Sequence, residues 1–177
     1  MTPSLLLLID GAVNGDNRAV EELVRHTRAQ VALVCRTLGS GDDVDDLVQE
    51  TYLRVFRSLP GFRGEAASFL PWVLAIARNT CATEVRRRVR RRQAVDRFRA
   101  GRHEDAVPGP TSPAELASLL AGLSSELREA FVLTQLVGLS YDEAAQTCDC
   151  PVGTIRSRVS RARVQLAAQV RADDRIA

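Results

Sequence analysis

The sequence predicts an all-α protein, two small helical domains joined by a flexible linker, and three observations carry that reading. Apolar residues recur at three- and four-residue spacing through its long segments, the mark of helices that bury one stripe. Short breakers, Asn14-Gly15-Asp16 and Gly39-Ser40-Gly41 among them, separate these stripes. The periodicity then vanishes from Asp96 to Pro113, where Gly101, Pro108, Gly109, Pro110 and Pro113 gather. That stretch, residues 96–113, reads as an extended linker between a domain of residues 1–95 and a second of residues 114–177. A chain of 177 residues has room for two such domains, and a hydrophobic content of 45% suffices for their cores although only 5% is aromatic.

The first domain reads as helices throughout. Leu5 to Val13 forms a short one, and a second runs from about Asn17 to Leu38 with Val20, Leu23, Val24, Val31, Val34 and Cys35 inward. The third opens on the acids Asp42 to Asp46, which suit the positive N-terminal end of a helix. Over Val44 to Leu59 its core stripe is Val44, Leu47, Val48, Thr51, Tyr52, Val55, Phe56 and Leu59. The opposite face reads Asp46, Gln49, Glu50, Leu53, Arg57. Periodicity leaves two readings of Leu53: a singly exposed apolar residue that needs no explanation, or the anchor of a protein–protein contact.

In SLPGFRGEAASF, Pro60, Gly61 and Gly64 prevent regular structure, and Ser68 is placed to cap a fourth helix from about Phe69 to Arg92. Pro71 then falls in a first turn, where its missing N–H costs little. Leu70, Val73, Leu74, Ala77, Cys81 and Val85 form the buried stripe, while a second line runs Trp72, Ile76, Asn79, Thr83, Arg86, Arg90. That second line is either a satisfied tryptophan beside a solvated basic end or a nucleic-acid track. On the latter reading the arginines neutralise phosphates, and an unstacked base sits near Trp72 and Asn79.

The second domain starts with a helix over Ala114 to Gly122. Another follows, capped by Ser124, using Leu127, Ala130, Phe131, Leu133 and Val137 and stopping at Gly138. Ser140-x-x-Glu143 is a capping box, with Leu139 and Ala144 spaced as a hydrophobic staple, and it opens a short third helix. Asp149-Cys150-Pro151 ends that helix, since proline disfavours the helical region for its predecessor. From about Val152 a last helix buries Val152, Ile155, Val159, Ala162 and Leu166 and presents Arg156, Ser157, Ser160, Arg161 and Arg163. No acid lies between Pro151 and Arg171. Helix, tight turn and cationic second helix is the arrangement that places side chains in a DNA major groove. The polar tail Arg171 to Ala177 is expected to fray.

Net charge is only +2, so distribution matters more than total. All 24 basic residues are arginine. Thr37 to Leu53 holds five acids and no base, whereas Arg86 to Arg102 holds nine arginines against Asp96 alone. Such asymmetry points to separate surfaces for separate partners. Leu5 to Ile9 is too short for a signal peptide or a membrane span, so a cytoplasmic protein is expected, with no membrane partner. Cys35 and Cys81 fall on apolar stripes as small core residues, and Cys148-x-Cys150 lacks both partner ligands and the usual zinc spacing. With His26 and His103 in unrelated places, and no phosphate loop, nucleophile triad or metal cluster, neither an enzyme nor a cofactor or metal site is expected.

Three motifs together resemble a known family. DLVQETYLRVFRSLPGFRG (Asp46 to Gly64), SFLPWVLAIARN (Ser68 to Asn79) and GLSYDEAAQTCDCPVGTIRSRVSRAR (Gly138 to Arg163) are similar, in this order, to the core-binding, −10 and −35 regions of the extracytoplasmic-function (group IV) sigma factors of bacterial RNA polymerase. The resemblance implies a region 2 bundle and a region 4 helix-turn-helix. It implies that Asp46, Leu47, Gln49, Glu50 and Leu53 dock on the clamp coiled coil of the largest polymerase subunit, with the polymerase flap as a further contact. It implies a flipped −10 base held by Ser58, Phe62, Ile76 and Asn79 near Trp72, with Arg86 to Arg92, Arg86 and Arg90 among them, on nearby phosphates. It also implies that Thr154, Arg156, Ser157, Ser160 and Arg161 face the −35 groove. Promoter DNA and core polymerase are then the partners, and an anti-sigma factor is a further one known in the family. Phe69-Leu70-Pro71-Trp72 departs from the polar or basic pair that commonly precedes the tryptophan. The competing reading is a stand-alone helix-turn-helix regulator, which would not need the Asp46–Leu53 face and the Trp72–Arg90 track together.

Overall fold

The computed structural model describes residues 4–39, 44–96 and 113–173, and among them every regular element is helical. The expected linker falls almost wholly outside the described residues, as do Asp42 and Asp43. Helix α1 (Leu5–Val13) buries only Ile9 and turns into α2 (Asn17–Leu38) at Gly15, whose φ of +85° is a left-handed conformation that suits glycine. Asp16 caps α2 by accepting the Arg18 amide at 2.9 Å. On α2 the buried stripe is Leu23, Thr27, Val31, Val34 and Cys35, with Val20 and Val24 half-buried. Thr27 is tolerated there because its hydroxyl bonds the Leu23 carbonyl and the Tyr52 hydroxyl, both at 2.9 Å.

Helix α3 (Val44–Ser58) passes into a short 3-10 turn at Leu59–Gly61, after which α4 (Ala66–Asp96) runs for 31 residues. Helix α4 starts earlier than the cap at Ser68 suggested: Ser68 already bonds back from its amide to the Glu65 carbonyl at 3.0 Å, inside the helix. Pro71 consequently lies inside the helix rather than in its first turn. Phe69, read from the sequence only as a departure, is 1% exposed and the largest fully buried side chain.

In the second half α5 (Pro113–Ala121) leads to α6 (Ser125–Phe131), which widens into a π-helical turn at Val132–Leu136 where one uninterrupted helix was expected. Ser124 stands before α6 but makes no side-chain cap bond. Gly138, at φ +87°, closes the turn while the Leu139 amide reaches back to the Leu133 carbonyl at 3.0 Å. Arg128 holds the end of α5 by donating to the carbonyls of Leu120, Ala121 and Leu123 at 2.7, 2.9 and 3.0 Å.

Helix α7 (Tyr141–Cys148) has the expected capping box: Ser140 Oγ accepts from the Glu143 amide at 3.2 Å, and Glu143 accepts from the Ser140 amide at 2.8 Å. Its end is set by Asp149 in the left-handed region (φ 51°) as well as by Pro151, with the Cys150 amide bonding the Ala145 carbonyl at 3.1 Å. Helix α8 (Val152–Asp173) continues past the point where fraying was expected. Replacing Ser140 with alanine is expected to cost about 1 kcal/mol and to lower Tm by about 2–4 °C in a thermal scan. An unchanged Tm would mean that Pro151 and apolar packing alone hold α7.

Buried aliphatics from both halves join in one cluster, including Leu23, Val55 and Leu74 from the first and Leu133, Ile155 and Val159 from the second. The four cysteines are free thiols; Cys35, Cys81 and Cys148 are buried. Among the described residues no helix is long and apolar enough to cross a membrane.

Candidate functional site

Helix α8 rests on Ile155, Val159 and Ala162, which expose 1% or less of their surface, so its other side must face outward. Arg156, Ser157, Ser160 and Arg161 are exposed there, and Thr154 is half-exposed. Ser157 and Arg161 are tied along the helix, the hydroxyl to the Thr154 carbonyl at 2.9 Å and the guanidinium to the Ser157 carbonyl at 3.4 Å. Arg163 is turned aside to Gln135 at 2.7 Å. Arg156 makes no bond to another described residue, leaving its planar fork available for a guanine edge.

On α4, Phe62 from the preceding loop packs against Trp72 (ring centroids 5.0 Å) and edge-on against Phe69 (5.6 Å). Phe62 and Trp72 border a cavity of about 420 Å³, lined also by Gly64, Ser68, Ala75 and Gln146. Gly64 lets the Phe62 ring lie flat on the loop, since a Cβ there would meet that ring at 2.7 Å. The other expected pocket residues are not in the lining. Ser58 and Asn79 are exposed and Ile76 is half-buried. Asn79 stands seven positions on from Trp72, about 10 Å along the helix, on the same stripe as the aromatic wall. Arg86 and Arg90 continue that stripe, both exposed. Gln146 left no signal in the α4 period because it comes from α7, whereas Ser68 and Ala75 lie on α4 itself, four residues before and three after Trp72, where small side chains mark no stripe.

Helix α3 presents Asp46 and Gln49 exposed, Glu50 half-exposed, and Leu53 with 60% of its surface open. Leu47 differs from its neighbours: at 9% exposure it belongs to the core beneath that face. Glu50 is held by Arg54 at 2.7 Å.

The halves meet where α7 lies on α4. Arg78 donates to the Thr147 carbonyl at 2.7 Å, and Thr147 donates to the Pro71 carbonyl at 3.3 Å. Arg78 Nε lies 3.5 Å from Glu129 Oε2, an ion pair by distance without hydrogen-bond geometry. Burial pushes the Glu129 carboxyl above its ordinary range, and Arg78 and Arg158 pull it back. Gln146 reaches the aromatic cavity from α7, so this contact stands at the lip of the Phe62–Trp72 site. Arg78→Ala removes the bond to Thr147 and leaves Glu129 without that cation. We expect it to weaken the packing of α7 on α4 by about 2 kcal/mol, seen as a larger radius of gyration in small-angle scattering. An unchanged radius would assign the contact to apolar packing alone.

Comparison with known proteins places this geometry. Residues 23–91 match the family model for Sigma-70 region 2, and residues 114–166 match that for Sigma-70, region 4. The ECF RNA polymerase sigma factor SigC of Mycobacterium tuberculosis (strain CDC 1551 / Oshkosh) is 40% identical over 169 residues, covering 92% of this chain and 89% of that protein. The ECF RNA polymerase sigma-E factor of Escherichia coli (strain K12) is 36% identical over 172 residues, covering 89% of each. Among solved structures, CnrH in complex with the cytosolic domain of CnrY matches at a TM-score of 0.75 and 30% identity, covering 97% of this chain and 99% of that one. The sigma factor RpoE in complex with the anti-sigma factor NepR from Bartonella quintana matches at 0.70 and 30% identity, over 86% of this chain and 96% of that one. The chain therefore belongs to the sigma-70 family of RNA polymerase sigma factors, in its extracytoplasmic-function branch.

Proposed function

We propose that this chain acts as a dissociable, non-catalytic subunit in the cytoplasm that gives core RNA polymerase its promoter specificity. Residues 1–95 form a unit that docks on the clamp coiled coil and reads the −10 element as single strand, residues 96–113 set the reach, and residues 114–177 read the −35 element as duplex and meet the flap. The observation that supports this most is Leu53, 60% exposed on a face of hydrogen-bonding groups, in a chain that also carries an aromatic cavity and a cationic recognition helix. A regulator binding duplex operators unaided has no use for that face.

The −10 reading rests on Phe62 and Trp72 as a stacking wall and on Asn79, Arg86 and Arg90 further along α4. Unstacking a base costs a few kcal/mol, offset by stacking and edge hydrogen bonds. The −35 reading rests on Thr154, Arg156, Ser157, Ser160 and Arg161. An anti-sigma factor is a further partner, supported by the matched structure of the sigma factor RpoE bound to the anti-sigma factor NepR. The test is transcription in vitro with core enzyme, with and without this chain, mapping 5′ ends. Discrete start sites appearing only with the chain support the proposal. Tight operator binding without polymerase, and no start sites with it, would assign the chain to the stand-alone regulators.

A further inference from the structure

The arginine run of α4 is not one surface. One turn is 3.6 residues, so Arg86 and Arg90 share a side, while Glu84, Arg87, Arg88 and Arg91 share another roughly 130° round the helix. The Glu84 carboxylate fixes this division, with Arg87 Nε at 2.7 Å and Arg88 Nε at 3.2 Å. The hydrogen bond from Arg87, with the help of Arg88, holds the Glu84 carboxyl below its ordinary range. Arg87, Arg88 and Arg91 thus line a cleft of about 570 Å³ between α4 and α3, whose other wall is Asp46, Glu50 and Arg54.

We infer that this cleft is a second part of the polymerase-docking surface, and that Arg87 and Arg91 receive acidic side chains of the polymerase. The inference rests on the docking reading of α3 and extends it. Two features identify a protein occupant rather than nucleic acid. Three carboxylates, Asp46, Glu50 and Glu84, alternate with Arg54, Arg87, Arg88 and Arg91 in the cleft, so its lining is of mixed sign and lacks the one-signed basic surface that tracks a phosphate backbone. Asp46 and Arg91 have no partner among the described residues, so the cleft offers one free charge of each sign. A mixed-charge protein helix complements both. Continuity selects the polymerase as that protein: Asp46 and Glu50 belong to the cleft wall and to the face that carries Leu53. One helix then serves two partners, promoter phosphates through Arg86 and Arg90 and polymerase through Arg87 and Arg91.

Adjacent charge reversals on the full-length chain test this. Arg91→Glu is expected to weaken binding to core polymerase about tenfold at low salt, less at high salt, while holoenzyme formed at saturating core keeps its promoter affinity within about twofold. Arg90→Glu is expected to do the reverse, leaving core affinity within about twofold and weakening promoter binding. Leu53→Asp is the control for the underlying reading. If Leu53→Asp abolishes core binding but Arg91→Glu leaves it unchanged, or if Arg91→Glu weakens promoter binding as Arg90→Glu does, the cleft is overturned and the α3 face stands. If Leu53→Asp also leaves core binding intact, the docking reading itself falls.

Discussion

Leu53→Asp is expected to abolish association with core RNA polymerase and leave the fold intact. The first half follows from what an interface does to this position. Fully burying a leucine side chain contributes about 1.5–3 kcal/mol, and losses of 2 kcal/mol or more are typical of anchors at an interface centre. Aspartate removes that contribution and places a carboxylate against an apolar partner surface, adding the cost of desolvating an unpaired charge. The sum exceeds about 4 kcal/mol, or roughly a thousandfold in affinity. The second half follows from position: Leu53 is 60% exposed on α3, while the packing is made by Leu47, Val48, Thr51 and Val55. Surface changes of this kind usually stay within about 0.5 kcal/mol, so Tm should scarcely move. Co-purification with core and a thermal scan read the two halves separately. Retained co-purification would remove the docking role of α3, and a collapsed Tm would void the experiment, in which case Leu53→Ala, expected at about 2 kcal/mol, gives the same answer without the charge.

The sequence made the helices and their buried stripes legible because apolar spacing is a local signal. Val31, Val55, Ala77, Ile155 and Val159 were all placed inward by period alone, and all are 1% exposed or less. The same reasoning failed on residues whose environment is set by distant segments. Thr27 is buried although polar, since Tyr52, 25 residues away, satisfies it. Phe69 is core because Phe62 and Trp72 close over it from a loop and from its own helix. Arg78 looks like one more surface cation until α7 brings Thr147 and α6 brings Glu129 to it, and contacts so far apart in the chain leave no periodic trace. The arginine run hid its division for a different reason. A string of like letters conceals a 100° rotation per residue, and only the pairing of Glu84 with Arg87 and Arg88 shows which cations turn away from the Trp72–Arg90 stripe.

Division of labour between the remaining arginines gives the second large effect. Arg156→Ala is expected to cost about 1–3 kcal/mol at one base pair of the −35 element and little elsewhere, because a bidentate guanidinium grips guanine O6 and N7 and no other base offers that pair in that geometry. The exposure of Arg156 and its lack of any bond to another described residue mean the substitution leaves α8 as it was; Ile155 and Val159 beneath it carry the packing. Arg90→Ala should behave differently. A phosphate contact carries no sequence information, so affinity falls uniformly across promoter variants, and the slope of log affinity against log salt shrinks by about 0.7 for a single-strand contact. Holoenzyme binding to a set of single-base promoter variants, each at several salt concentrations, separates the two. Arg156→Ala must change the ranking of variants with an unaltered salt slope, and Arg90→Ala must change the slope with an unaltered ranking. Equal, sequence-blind losses from both would show that α8 lies across phosphates instead of base edges, and that the −35 element is recognised by some other part of the chain.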